Sequence, residues 1–370
     1  MSYHRIVVKF GTTLLTSGTG HLSLQTMDHL IRQVALLRHQ GKELLIVSSG
    51  AIAAGKEKLE ASPSHKNIPS KQVMASVGQS RLMQVYEQLL HQQGIMAAQA
   101  LLTKRDLLDR AGYLNARNTL LSLIGLGVIC IVNENDVVAT DEIEGADFGD
   151  NDNLSAMTAN LVDADLLVLL TDVAGLCTAN PHLYPHAKLI SRVEKIDVEI
   201  ERMAGDARNS QGTGGMVTKI EAAKLATTSG IAVVIADGNT PDILTKISNG
   251  EDVGTFFSPL LSKMESKKRW MLSGLASRGK LLIDEGAALA LKEKNKSLLP
   301  AGIITTKGNF HRGDIVEIFD NQGNRVGCGI SNYAASDIIL IKGQQSDKIK
   351  PILSYDYGEE AVHRNNMVVL

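Results

Sequence analysis

From residue 5 to about residue 257, short apolar runs alternate with longer stretches whose apolar residues recur every three or four positions. Strand and helix in such regular succession pack as crossover units on a mainly parallel sheet with helices on both faces. The strands expected are 5–10, 43–48, 95–101, 128–132, 166–171 and 231–236. Runs such as LLIV and DLLVLL have no polar face, as central strands buried between two helix layers require. Ser23 to His39 reads as a helix with Ser23 as its N-cap and Gly41 just past its end, and Ser70 to Gln92 as another closed by Gly94. The fold class that follows is α/β, a three-layer α/β/α sandwich.

After Thr255-Phe256-Phe257 the pattern changes. SPLLSKMESKKRW is polar and basic, and from about Gly274 short strand-like runs are broken by glycines: KLLID, GIITTKGNF, DIVEIFDNQGNRVGCGIS and IILIKG. Asn321-Gln322-Gly323-Asn324 is a hairpin turn between two alternating runs. The expected organisation is a first domain over 1–260, a linker at about 261–273, and a small β-rich domain over 274–370.

With 370 residues, 44% of them hydrophobic, the chain can bury a large core. A formal charge of −2 exerts no global pull on nucleic acid or anionic membrane. From Ala276 to Leu370 there are 12 Lys plus Arg against 11 Asp plus Glu, a net of +1 with no dense basic stripe, which argues against RNA binding there. Cys130, Cys177 and Cys328 are few and far apart, without the spacing of a disulfide framework or a zinc site. MSYHRIVVKF has no signal-peptide core, and no run reaches the ~20 apolar residues of a membrane span. A cytoplasmic protein is expected.

Two lysines stand at element ends beside small residues. Lys9 closes the apolar run of RIVVKFGTT, and Lys219 lies in GTGGMVTK, where a glycine turn opens into the helical pattern MVTKIEAAKLATTSG. A helix N-terminus with free N–H groups and an added lysine favours an anion, and two cations so placed suit a phosphoryl group. VSSGAIAAG, Val47 to Gly55, leaves backbone donors and hydroxyls at the end of another strand, with Ser49 as the candidate substrate contact. In the stretch Asn133 to Ala156, Asn133, Asn135, Asp136, Asn151 and Asn153 supply amide donors and carboxylate acceptors complementary to an amino acid. Asp150 either accepts from Lys9 and Lys219 and holds both, or caps the following helix, a role Asn151 would also fill. TDVAGL, Thr171 to Leu176, offers a nucleotide shelf with phosphates reaching Thr213 to Gly215. Neither GxxxxGK[ST] nor GxGxxG after a strand occurs, and GxSxG and HExxH are also absent. No protein metal site is expected; Mg²⁺ would arrive with ATP, ligated by phosphate oxygens and water.

Together VKFGTTLL, IVSSGAIAAG, SKQVMASVGQSRLMQ, NENDVVAT, GDNDNLSA, LLTDVAGL and GTGGMVTK resemble, in order and spacing, the glutamate 5-kinases of the amino acid kinase family, whose bacterial forms often carry a C-terminal PUA domain. The resemblance covers nearly the whole chain. It implies that Lys9 and Lys219 stabilise the transferring phosphoryl while Asp150 organises them. It further implies that Ser49, Asp136 and Asn151 bind glutamate with Asn133 in support, and that Lys9, Thr171, Asp172, Thr213, Gly214, Gly215, Met216, Val217, Thr218 and Lys219 bind ATP. With it come an acyl phosphate product for proline synthesis, inhibition by proline, a homo-oligomer (dimer or tetramer), and a functional link to glutamate-5-semialdehyde dehydrogenase. The alternatives are a family member acting on acetylglutamate, aspartate or UMP, or RNA binding by the C-terminal domain.

Overall fold

The computed structural model describes residues 3–59, 68–139 (side chains from 71), 151–179, 181, 183–184, 186–205, 215–260, 278–294 and 296–370. The chain divides into two compact units, Met1–Leu107 with Ala116–Lys263, and Leu108–Asn115 with Met264–Leu370. The expected linker, 261–273, lies outside the described residues.

In the first unit, β1 (Arg5–Phe10), β2 (Glu43–Ser48), β3 (Ala97–Leu102), β4 (Ile129–Glu134), β5 (Leu166–Thr171), β6 (Arg192–Val193), β7 (Ala232–Asp237) and β8 (Thr255–Phe257) form one sheet. Its order is β3-β4-β2-β1-β5-β7-β8-β6. Every pairing is parallel except β7 with β8. β1 is thus central, in register with β2 on one side and β5 on the other.

Strand alternation splits the sheet's two faces. Ile6, Val8 and Phe10 enter a core with Leu44, Ile46, Leu166, Val168 and Leu170, covered by Leu30 and Val34 of helix Leu24–His39 and by Leu82, Val85 and Tyr86 of helix Ile68–Gln92. Val7 and Lys9 point the other way, under helix Asn151–Leu161, which packs across β1, β2, β4 and β5 and against helix Met216–Thr228. The result is the three-layer α/β/α sandwich expected. Ser23 does cap its helix, accepting from the Thr26 N–H at 3.3 Å.

One contact fixes the geometry near the carboxyl ends of β2 and β4. A Cβ at Gly78 would lie 1.8 Å from the Ala51 carbonyl oxygen, and one at Gly55 1.8 Å from that of Met74. Helices Ala51–Leu59 and Ile68–Gln92 therefore touch backbone to backbone, an approach that only glycine permits.

In the second unit, β9 (Gly279–Ile283), β10 (Ile303–Gly308), β11 (Ile315–Phe319), β12 (Arg325–Ile330) and β13 (Met367–Val369) form a sheet of order β10-β9-β11-β12-β13 around Leu281, Ile283, Val316, Ile318, Val326 and Phe310. The β11–β12 turn is Asn321-Gln322-Gly323-Asn324, where the Asp320 carboxylate accepts from the N–H groups of Gln322 and Asn324. This unit also takes in a segment from far upstream. Leu114 is buried with Ile315, Cys328, Ile330 and Val368, and Arg110 pairs with the carboxylate of Asp314.

Candidate active site

At the end of β1, Lys9 is 1% exposed, although its neighbours Val8 and Phe10 face the opposite core. A cation that deep in the chain needs an anionic partner. Asp152 supplies it from the first turn of helix Asn151–Leu161, where the helix dipole favours a negative charge. Its Oδ1 lies 2.6 Å from Lys9 Nζ, and its Oδ2 lies 3.2 Å from Lys219 Nζ while accepting from the Thr218 hydroxyl at 2.8 Å. Lys219 is 5% exposed and Asp152 0%. Burial alone would push the Asp152 carboxyl up; the two ammonium groups outweigh it and hold the group well below the usual carboxylate range.

On one flank the cluster is bordered by β1, β5 and helix Met216–Thr228. Gly11 follows Lys9 and donates its N–H to the Leu170 carbonyl at 3.2 Å; a Cβ there would stand 3.8 Å from Lys9 Nζ. β5 ends at Thr171, whose hydroxyl donates to Asp172 Oδ1 at 3.1 Å beside the β1 terminus. Helix Met216–Thr228 starts from Gly215, which offers no side-chain cap, so Met216, Val217 and Thr218 present backbone N–H groups near Lys219.

On the other flank, β2 leads into Ser49, whose N–H donates to the Phe10 carbonyl at 3.2 Å. Its hydroxyl accepts from Asn151 Nδ2 at 3.0 Å. Asn133, the penultimate residue of β4, donates through Nδ2 to Gln79 Oε1 at 2.8 Å. Asp136 sits in the turn that follows, where burial, and then the charge of Glu134, push its carboxyl up to about 6. Among the described residues no hydrogen bond joins Asp136 to Ser49, Asn133 or Asn151.

The structure thus joins Lys9, Lys219 and Thr218 through one carboxylate, joins Ser49 to Asn151, and sets Thr171 and Asp172 at the neighbouring strand end. Asp150, Thr213 and Gly214 lie outside the described residues. The carboxylate bridging the lysines belongs to Asp152, two residues beyond the expected Asp150. Asp152, Ser155, Ala156 and Ala159 recur at helical spacing and are each 0% exposed, so Asp152 heads the face turned onto the sheet. That periodicity was the available signal. Gln79, the partner of Asn133, carries no charge and lies inside a helical pattern, so the sequence alone does not single it out.

Over residues 4–237 the chain matches the model of the amino acid kinase family, and over 279–353 that of the PUA domain. The chain belongs to the amino acid kinase family. A protein named glutamate 5-kinase from Dehalococcoides mccartyi (strain ATCC BAA-2266 / KCTC 15142 / 195) is 56% identical over 368 residues, covering 100% of this chain and 99% of its own. Glutamate 5-kinases of Shewanella oneidensis and Herpetosiphon aurantiacus are 48% and 47% identical, covering 100% and 98% of this chain, and 99% and 98% of their own. A solved structure of UMP kinase from Bacillus anthracis is 14% identical, with a TM-score of 0.48 over 70% of this chain and 98% of that one. In this amino acid kinase, Lys9, Asp152 and Lys219 all belong to the family-matched part. No described helix is long and apolar enough to cross a membrane.

Proposed function

We propose that the chain transfers the γ-phosphoryl group of ATP to the γ-carboxylate of L-glutamate, giving glutamate 5-phosphate for proline biosynthesis. The observation that carries the reading is the buried Lys9–Asp152–Lys219 cluster, supported by full-length relatives that bear the glutamate 5-kinase name.

The acceptor needs no base. A γ-carboxyl with an ordinary pKa of about 4.3 is already an anion at neutral pH. The barrier lies in bringing that anion against a phosphoryl group, and ammonium groups fixed in advance offset the repulsion. Asp152 does the fixing, with one oxygen on each lysine. The N–H groups opening helix Met216–Thr228 receive phosphate oxygens beside Lys219, and Thr171 and Asp172 border the nucleotide. Ser49, Asn151 and Asp136 take the amino acid, Asp136 in its ionised form facing the ammonium.

Mg²⁺ bound to the nucleotide's phosphates would neutralise part of their charge. The chain's chemistry fits that arrangement, because Asp152 is already engaged by two cations. Inhibition by proline near the acceptor site, a dimeric or tetrameric assembly, a cytoplasmic setting and delivery of the product to glutamate-5-semialdehyde dehydrogenase belong to the same reading.

The test is hydroxylamine trapping of an acyl phosphate. Formation that requires both ATP and L-glutamate supports the assignment; turnover of N-acetylglutamate, aspartate or UMP in its place would overturn it. Adding proline to the same assay tests the inhibition.

A further inference from the structure

Asn133 Oδ1 accepts the backbone N–H of Glu134 at 2.9 Å. A backbone N–H can only donate, so the oxygen of this carboxamide is identified by its partner, and the atom turned toward Gln79 is Nδ2. Nδ2 in turn can only donate, so what it meets 2.8 Å away is the Gln79 oxygen. The other end of the Gln79 carboxamide is then its NH₂ group. That Nε2 is buried and has no acceptor among the described residues. Buried donors are nearly always partnered in folded proteins, and one held rigidly without an acceptor suits a ligand's oxygen.

Its location agrees. Gly78, pressed against Ala51, brings Gln79 to the start of helix Ala51–Leu59, two residues beyond Ser49. Val47 of β2 pairs with Val132 of β4, so Gln79 hangs over the same corner as Ser49 and its partner Asn151. Asn151 Oδ1 is a second buried polar atom there without a partner among the described residues. From β4 to β1 is two strand spacings, roughly 10 Å, which places Gln79 at the end of the acceptor away from Lys9.

We infer that Gln79 is an acceptor-binding, specificity-determining residue whose Nε2 donates to the α-carboxylate of the amino-acid substrate. The inference rests on the proposed acceptor. Asn133 acts through Gln79: its side chain holds the carboxamide so that a donor, and not an oxygen, meets the carboxylate.

L-Glutamate and L-isoglutamine separate the possibilities, because the latter keeps the γ-carboxylate and the ammonium but replaces the α-carboxylate by an amide. In the full chain, Gln79→Glu keeps an oxygen for Asn133 and sets an anion where the donor was. The expected result is a fall of about 100-fold in kcat/KM for glutamate, with isoglutamine losing less than about fivefold and KM for ATP moving less than about twofold. Gln79→Met, which lacks donor and charge, should lower the preference for glutamate over isoglutamine about tenfold, and it serves as the readout if Gln79→Glu does not fold. Circular dichroism melting establishes that each variant is folded. An unchanged glutamate-to-isoglutamine ratio in the folded variants overturns the inference while wild-type turnover of glutamate leaves the proposed function standing. A wild-type protein that does not phosphorylate glutamate overturns both.

Discussion

Replacing Asp152 by asparagine keeps the shape and volume of the side chain and removes one charge. Asp152 is fully buried, 2.6 Å from one ammonium and 3.2 Å from the other. Removing one member of a buried ion pair costs about 3–5 kcal/mol, because the remaining charge stays desolvated. Here one carboxylate serves two cations, so a loss within that range applies unless a lysine sheds its proton, and either response harms transfer. Displaced lysines no longer meet the phosphoryl group, and a shift of about 1 Å can cost ~100-fold in rate. A deprotonated lysine carries no charge to offer. Asp152→Asn should therefore lower kcat by about 10²–10⁴, with KM for glutamate changed less than about threefold, since the acceptor is held elsewhere. At about 2–4 °C per kcal/mol for a unit of this size, the melting temperature should fall by about 6–20 °C. The carboxyl's pKa is depressed in the folded chain, so its contribution is complete above the unfolded value near 3.9 and is lost only as pH falls through the lower folded value. The melting difference should accordingly be the same from pH 5 to pH 8. An Asp152→Asn protein with more than about a tenth of wild-type kcat and an unchanged melting curve would refute the role given to the cluster.

Asp136 has the opposite sign. Its carboxyl is raised to about 6, so it destabilises the free protein as pH climbs from the unfolded value near 4 through 6; Asp136→Asn should stabilise the unliganded chain by about 1–3 kcal/mol at pH 7.5 and by little at pH 4, read by denaturant titration. If the ionised form binds the ammonium, wild-type KM for glutamate rises below about pH 6 and the Asn variant has a high KM without that dependence. Gly78→Ala would drive a methyl group into the Ala51 carbonyl oxygen, so the two helices must part; a loss of about 3 kcal/mol or more in urea unfolding is expected. Leu114→Ala should cost about 2–5 kcal/mol in the unfolding of the second unit, because its side chain is fully buried against Ile315, Ile330 and Val368.

Much of the first unit could be read from periodicity because its central strands are apolar on both faces. The six strands expected there begin within two residues of β1, β2, β3, β4, β5 and β7. β6 and β8, of two and three residues, are too short to show any period. Within the site, Lys9 and Lys219 stood out because a lysine among small and apolar residues at an element end is conspicuous. Asp152 did not, since it sits among the polar residues Asp150, Asn151 and Asn153, and only its helical phase with Ser155, Ala156 and Ala159 marks it as turned onto the sheet. Gln79 depends on a tertiary fact, the contact of Gly78 with Ala51, which no local pattern reveals. The inclusion of Leu108–Asn115 in the second unit is equally non-local, as Leu114 finds its neighbours some 200 residues downstream.

That last feature has a temporal side. A ribosome adding about 5–20 residues per second takes on the order of 10–40 s to travel from Leu114 to Ile315, Cys328 and Ile330. Throughout that interval a leucine destined for an interior has none, so the nascent chain carries a sticky site whose cover has yet to be translated. Grafting the C-terminal module onto another protein would leave the matching gap behind: the eight upstream residues have to travel with it, or the transplanted sheet is born with its apolar seam open.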